Sequence, residues 1–157
     1  SERAEYASLV VCPTSVASNW AAEAKRFTPT LRIVLLTGAN RDKLYDQVKD
    51  ADLVITTYAL LRLDLTRLQR RTWHSLILDE AQNLTPKQMK ALVTRAGPGT
   101  KLVCLGNIAQ IDTPYLTETT CGLTYVVNRF RGWAHSGHIT LQRGERSRLA
   151  DFASEAL

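Results

Sequence analysis

Short apolar runs alternate with amphipathic stretches along most of this chain, and that alternation sets the predicted order of elements. Residues 8–12, 31–36, 53–57 and 101–105 are apolar segments of strand length, the pattern of strands covered on both faces of a parallel sheet. Between them apolar positions recur at helical spacing. Val16, Trp20, Ala24 and Phe27 mark one face of a helix over 15–27, and Leu44 and Val48 the inward face of another over 41–50. Pro13 ends the first strand, Pro29 closes the first helix, and Thr37-Gly38-Ala39-Asn40 reads as a turn with Asn40 as an N-cap. A Leu-rich helical stretch then leads to Trp73. Thr85-Pro86-Lys87-Gln88 opens a further helix: Thr85 caps the amide of Gln88, Gln88 reaches back, and Pro86 fits the first turn. That helix is expected to run to about Arg95 and stop at Gly97-Pro98. Gly122 to about Arg131 reads as a helix with Leu123, Val126, Val127 and Phe130 apolar, 138–141 as a sixth strand, and 147–157 as a final helix. Strands alternating with helices imply parallel pairing through right-handed crossovers. The expected fold class is therefore α/β, a three-layer sandwich with a mostly parallel sheet, forming a single domain over 1–157.

One apolar run ends differently from the others. In Leu76-Ile77-Leu78-Asp79-Glu80-Ala81-Gln82-Asn83 three apolar residues lead straight into two carboxylates, which puts the acids at the carboxyl end of a buried strand, where open α/β sheets place ligands. This is the layout of a Walker B or DExx element: the first acid, Asp79, holds Mg²⁺ and the second, Glu80, orients or activates the attacking water. The plainer alternative is that both acids only solvate and cap a strand-to-helix turn.

Composition narrows the field. The chain has 157 residues, enough for a core of its own, and no apolar run approaches the roughly 18 residues a membrane span needs. Ser1-Glu2-Arg3-Ala4-Glu5 lacks the order of a signal peptide, so a cytoplasmic location without membrane contact is expected. Cys12, Cys104 and Cys121 lack C-x-x-C spacing and read as buried reduced thiols. The net charge of +5 is uneven: 11 basic and 10 acidic residues lie up to Asn83, against 9 and 5 beyond it. Arg129, Arg131, Arg143, Arg146 and Arg148 carry that excess, as a phosphate-contacting surface or as a solvated basic face. His135 and His138 have no acid or cysteine partner at useful spacing, and Trp20, Trp73 and Trp133 read as core or edge anchors rather than base-stacking groups.

Two resemblances sharpen this. Val10-Val11-Cys12-Pro13-Thr14 with Asn19-Trp20, then Val54-Ile55-Thr56-Thr57-Tyr58, then Leu78-Asp79-Glu80-Ala81-Gln82 resembles motifs Ia, Ib and II of the first RecA-like lobe in Swi/Snf-type ATPases of the helicase superfamily, over residues 8–83. The resemblance implies ATP and Mg²⁺ as cofactors, with Asp79 and Gln82 on the nucleotide side. It also implies Thr14, Thr56 and Thr57 along a nucleic-acid face, where hydroxyls position a phosphate backbone without reading sequence; helix capping is the alternative role for these threonines. From Asp79 on, Asp79-Glu80-Ala81-Gln82-Asn83-Leu84-Thr85-Pro86-Lys87-Gln88-Met89-Lys90, Thr94-Arg95-Ala96-Gly97-Pro98-Gly99, Gly106-Asn107-Ile108-Ala109-Gln110-Ile111-Asp112 and Gly144-Glu145-Arg146-Ser147 resemble the PhoH family of ATPases. That resemblance implies a γ-phosphate sensor at Gln110 and, at Arg146, a cation for charge developing on the transferred phosphoryl group. A strand-end turn residue and a surface arginine are the respective alternatives. The two resemblances share Leu78 to Asn83, so the sequence reads as a Swi/Snf-like half over 1–83 and a PhoH-like half over 84–157, with a seam near Gln82-Asn83.

One motif of these families is missing. No G-x-x-x-x-G-K-[ST] occurs in the sequence, and that loop wraps the phosphates with backbone amides while its lysine reaches the β- and γ-phosphates. In both families it precedes the first strand seen here, and its strand would stand between 101–105 and 138–142. The expectation is a RecA-like P-loop NTPase lobe lacking the Walker A strand and loop, a fragment or chimera of a nucleic-acid-dependent ATPase with weak nucleotide affinity and little turnover alone. RNA or DNA, and a second lobe or neighbouring subunit, are the expected partners. The alternatives are a non-catalytic nucleic-acid or protein binding module, and a non-native fusion without selected function.

Overall fold

The structure is a computed structural model and describes residues 6–141. The apolar runs pair side by side as β1 (Ser8–Cys12), β2 (Ile33–Leu35), β3 (Leu53–Thr57), β4 (Ser75–Leu78) and β5 (Lys101–Cys104). They form one sheet in the order β2-β3-β1-β4-β5, and every pairing is parallel. Register follows burial. Val11 stands opposite Thr56 on one side and Leu78 on the other, and Leu78 opposite Cys104. Strand side chains alternate between faces, so Leu9, Val11, Val54, Leu76 and Leu78 fall in one apolar cluster, while Val10, Cys12 and Ile55 fall in another.

Helices cover both clusters. On one face α1 (Ala17–Phe27) buries Ala17 and Ala21 against Val10, Cys12 and Ile55. On the other, α3 (Tyr58–Gln69) and α4 (Pro86–Val93) bury Leu61, Leu68 and Met89. A short α2 (Tyr45–Val48) adds Val48 to that side. The last described helix, α5 (Gly122–Phe130), packs Leu123 and Val126 against the same cluster. The three-layer α/β arrangement with a parallel sheet is thus the one expected from sequence. The α4 start is a capping box: Thr85 Oγ1 accepts from the Gln88 amide at 3.2 Å and the Gln88 side chain accepts from the Thr85 amide at 2.8 Å.

Four expectations need correction. Residues 138–141 form no strand. Ile139 and Leu141 are 84% and 82% exposed, because apolar alternation makes a strand only where a neighbour offers a ladder; among the described residues β5 has β4 as its strand neighbour. The helix expected over 41–50 is a 3-10 turn at Arg41–Leu44 followed by α2, and the Asn40 side chain caps nothing. The second strand is shorter than 31–36, with Leu31 exposed. Phe27 lies outside the buried face of α1, which Ala17 and Ala21 centre on instead. The final helix expected over 147–157 lies outside the described residues.

The broken second helix has a physical cause. Arg41 grips Asp64 of α3 through two bonds, Nε to Oδ2 at 2.6 Å and Nη2 to Oδ1 at 3.1 Å, and Arg67 of α3 pairs with Asp42. The Asp64 side chain is 7% exposed, so its charge depends on that fork. The bond from Arg41 holds the Asp64 carboxyl below the usual carboxylate range against the opposing effect of burial. A carboxylate whose folded pKa is depressed contributes stability above its unfolded value, about 3.9, and loses it as pH falls through the folded value. Asp64→Asn is therefore expected to lower unfolding free energy at neutral pH by about 2 kcal/mol and to flatten the decline below about pH 4. Urea titrations across the acid range check this; parent and variant curves that stay parallel there would exclude the pair as a source of acid sensitivity.

Candidate functional site

A parallel sheet sends every strand's carboxyl end to one rim, and that rim is where α/β sheets bind ligands. Here β1 runs out into Pro13-Thr14, β3 into Thr57-Tyr58, β4 into Asp79-Glu80 and β5 into Leu105-Gly106-Asn107. Asp79 is fixed at the rim by four bonds. Its amide donates to Val11 O at 2.9 Å, extending the β1–β4 ladder. Its carbonyl accepts from the Tyr58 hydroxyl at 2.7 Å. Its carboxylate accepts from Trp20 Nε1 at 2.7 Å on Oδ2 and from the Glu80 amide at 3.0 Å on Oδ1. Trp20 comes from α1 and Tyr58 from α3, so helices on opposite faces of the sheet hold the same residue.

Glu80 follows in a left-handed conformation, φ 51° and ψ 42°, which non-glycine residues adopt at a cost of about 1 kcal/mol. Backbone bonds enforce it: Ala81 N donates to Leu105 O at 2.8 Å, and Asn83 N to Glu80 O at 3.0 Å. The reversal ends the strand, and the Glu80 carboxylate then lies 3.5 Å from Asn83 Nδ2. Strained backbone of this kind concentrates at functional sites.

The electrostatics match two acids in a partly buried corner. Burial first, then the Asp79 charge, pushes the Tyr58 hydroxyl well above its ordinary range, so it remains a donor. Burial, with Asp79 and Glu80 adding to it, pushes the Cys12 thiol up to about 11, and its Sγ lies 3.6 Å from Thr56 O. Burial likewise raises Cys104 to about 11. Neither thiol is a nucleophile at neutral pH, and all three cysteines are free.

Gln82 ties the acids to the next loop. It is 3% exposed. Its Oε1 accepts from the Asn107 amide at 3.2 Å and its Nε2 donates to Gln110 O at 3.2 Å. Asn83 continues the stitching: its Oδ1 accepts from the Asp112 amide at 2.8 Å, and its carbonyl from Thr113 Oγ1 at 3.0 Å. Gly106 makes the approach feasible, since a Cβ there would stand 2.5 Å from Gln82 Oε1 and 2.9 Å from Leu123 Cδ2.

The residues singled out from sequence are placed unequally. Asp79, Glu80, Gln82 and Gln110 share one rim, Gln110 exposed and held through its carbonyl. Thr14 is exposed at the end of β1. Thr56 and Thr57 are internal: Thr56 Oγ1 donates to Leu36 O at 3.2 Å, and Thr57 Oγ1 caps α3 by accepting from the Leu60 amide at 3.3 Å. Both hydroxyls are thus engaged within the fold, Thr57 in the helix-capping role that was the alternative for it. Arg146, with Arg143 and Arg148, lies outside the described residues. Sequence reasoning missed the contacts of Trp20 and Tyr58 with Asp79. Both belong to the quoted motifs, but nothing in a linear pattern pairs residues 59 and 21 positions apart.

Comparison with known proteins gives two likenesses. The family model for the SNF2-related domain matches residues 1–96. Protein PhoH2 of Bacillus subtilis is 51% identical over 82 residues, covering 52% of this chain and 19% of that protein. The putative ATP-dependent helicase/translocase YwqA of the same organism is 37% identical over 118 residues, covering 71% of this chain and 12% of its own length. Among solved structures, the Sulfolobus solfataricus SWI2/SNF2 ATPase core in complex with dsDNA superposes with a TM-score of 0.56 at 32% identity, covering 76% of this chain and 27% of that one. The chain thus spans a fifth or less of the curated relatives named here. The PhoH2 match is longer than the stretch beyond residue 96, so the two likenesses overlap.

The bridge at Gln82 sets an expectation for stability. Gln82→Ala removes the buried side chain that bonds the Asn107 amide and the Gln110 carbonyl, and the loss of both bonds is expected to cost about 1–3 kcal/mol. Gly106→Ala places a methyl against Gln82 and is expected to cost at least as much. In the double variant the methyl is relieved of the clash with Gln82 Oε1 and keeps only those with Leu123 Cδ2 and the Gln82 backbone, so the losses should be less than additive. Chemical denaturation of the three variants checks this, and strict additivity would mean the two positions do not touch.

Proposed function

The chain belongs to the SNF2-related domain family, and from that footing we propose that it is one RecA-like lobe of a nucleic-acid-dependent ATPase, supplying the acidic half of the nucleotide site. One observation carries this reading: a carboxylate stands at the carboxyl rim of a parallel sheet, oriented by an indole N–H, and is followed by a second acid, Glu80, in left-handed backbone.

The residues fit a magnesium nucleotide. Each Asp79 oxygen accepts one bond, and an ionised carboxylate offers about four lone-pair positions, so sites remain for a metal or its water. Mg²⁺ usually takes one or two carboxylates from a protein and the rest from phosphates and water, and Asp79 is the residue that would hold it. The ion, when bound, neutralises charge on the phosphates. Glu80 then orients and polarises the attacking water. Gln110 is read as the γ-phosphate sensor. Because Gln82 binds its carbonyl, a shift of that loop is passed to the segment that carries both acids. Arg146 is read as the cation for charge on the transferred group.

Thr14 remains the exposed candidate for a phosphate-backbone contact, and the dsDNA in the archaeal neighbour supports duplex DNA as the nucleic acid. No G-x-x-x-x-G-K-[ST] occurs in the 157 residues, so in this reading the phosphate loop comes from further sequence, and this chain alone turns over negligibly. The same lack supports a second reading, a lobe that docks nucleic acid without hydrolysis.

Joining a Gly-Lys-Thr loop segment ahead of the chain and assaying ATPase with duplex DNA separates these. Expected are background turnover for the chain alone, turnover in the joined protein that Glu80→Gln abolishes, and DNA affinity that falls with salt by about 0.9 log units per log unit for each phosphate contacted. DNA binding with no turnover in any form would favour the docking lobe. Absence of both nucleotide and nucleic-acid binding would sink the proposal.

A further inference from the structure

Residues of α3 and of the 84–95 segment line a cleft of about 190 Å³. Leu61 and Leu84, both buried, and the half-buried Leu65 and Leu92 line it, with the Tyr58 ring at one end. The space suits one bulky apolar group, since about 150 Å³ accommodates a benzene ring. The ionisable groups at its mouth besides Tyr58 are both cationic. Arg62 and Arg95 are exposed, one from each side. Arg95 spends one N–H on Ala91 O at 2.8 Å, and neither arginine is paired with a carboxylate among the described residues. Among the described residues no acid lines the cleft.

We propose that this cleft is a docking site for a partner protein's acidic segment, which inserts one aromatic or branched side chain between α3 and α4 and lays flanking carboxylates on Arg62 and Arg95. Size and sign select the occupant together. The apolar floor admits a single large side chain, the kind of anchor that dominates protein interfaces, while the two exposed guanidinium groups favour carboxylates and repel basic segments. The position gives docking a route to the site. Tyr58 forms part of the cleft wall, and its hydroxyl holds the Asp79 carbonyl, so an inserted side chain packs on the ring that fixes the backbone of the first acid. This inference does not depend on hydrolysis at the rim.

The test uses a short fluorescein-labelled peptide with a central Phe-Leu pair between aspartates, a lysine-flanked counterpart, and the aspartate peptide with its Phe-Leu pair changed to alanines. Anisotropy is read against the full chain and against Arg62→Glu/Arg95→Glu, both substitutions lying at exposed positions. Expected are binding of the aspartate peptide alone, a loss of at least about tenfold in the charge-reversed chain, and partial recovery there by the lysine-flanked peptide. A melting curve confirms that the variant is folded. Equal binding of the acidic and basic peptides, or affinity unchanged by the reversal, would overturn the proposal. So would self-association of the chain that the reversal disperses, which would make a second copy the occupant.

Discussion

The buried side-chain amide of Gln82 holds the two acids of the rim to the loop beyond them. Gln82 satisfies both ends of its side chain on backbone groups of the 107–110 turn, and it does so because Gly106 leaves no side chain in the way. A buried amide without partners is costly, so the arrangement is close to all-or-none: the turn sits where the glutamine needs it, or the glutamine cannot stay inside. Asn83 repeats the device one residue on, accepting from Asp112 and Thr113. The position of the Gln110 loop relative to Asp79 therefore rests on two consecutive amide side chains, with β-ladder geometry supplying only the coarse placement.

Asp79 itself illustrates how a functional group is made rigid without being consumed. The indole of Trp20 and the amide of Glu80 each take one position on its carboxylate, and Tyr58 holds its carbonyl from the opposite face. Donors that restrict the torsion of an acid keep it ready for a cation. The two acids, although adjacent in sequence, differ in backbone conformation, since Glu80 has a positive φ and Asp79 does not.

Much of this was legible from the residues alone. β1 and β3 have the bounds that the apolar runs implied, and the Thr85–Gln88 box is the one the spacing predicted. These features are local, or depend on burial on both faces, which composition reports directly. The failures share a cause. Residues 138–141 alternate like a strand, yet a strand exists only in a ladder. Residues 41–50 have helical spacing, yet Arg41 and Asp42 are drawn into ion pairs with α3. Phe27 has the right phase, but small alanines already fill the contact of α1 with the sheet. In the rim, the acids stood out as a pair after an apolar run. Trp20 and Tyr58 did not, because what makes them part of the site is a fold contact.

The unanimous strand direction has a consequence for how such a chain comes to resemble two lineages. In this sheet each strand and its following helix form one coil of a spiral, and successive coils touch through ladders that any apolar strand can join. A segment exchanged here would have to keep the short apolar strand, the acid pair and the amide cradled under Gly106, and also the packing of Leu84, Met89, Leu123 and Val126 on the core that β1, β3 and β4 supply.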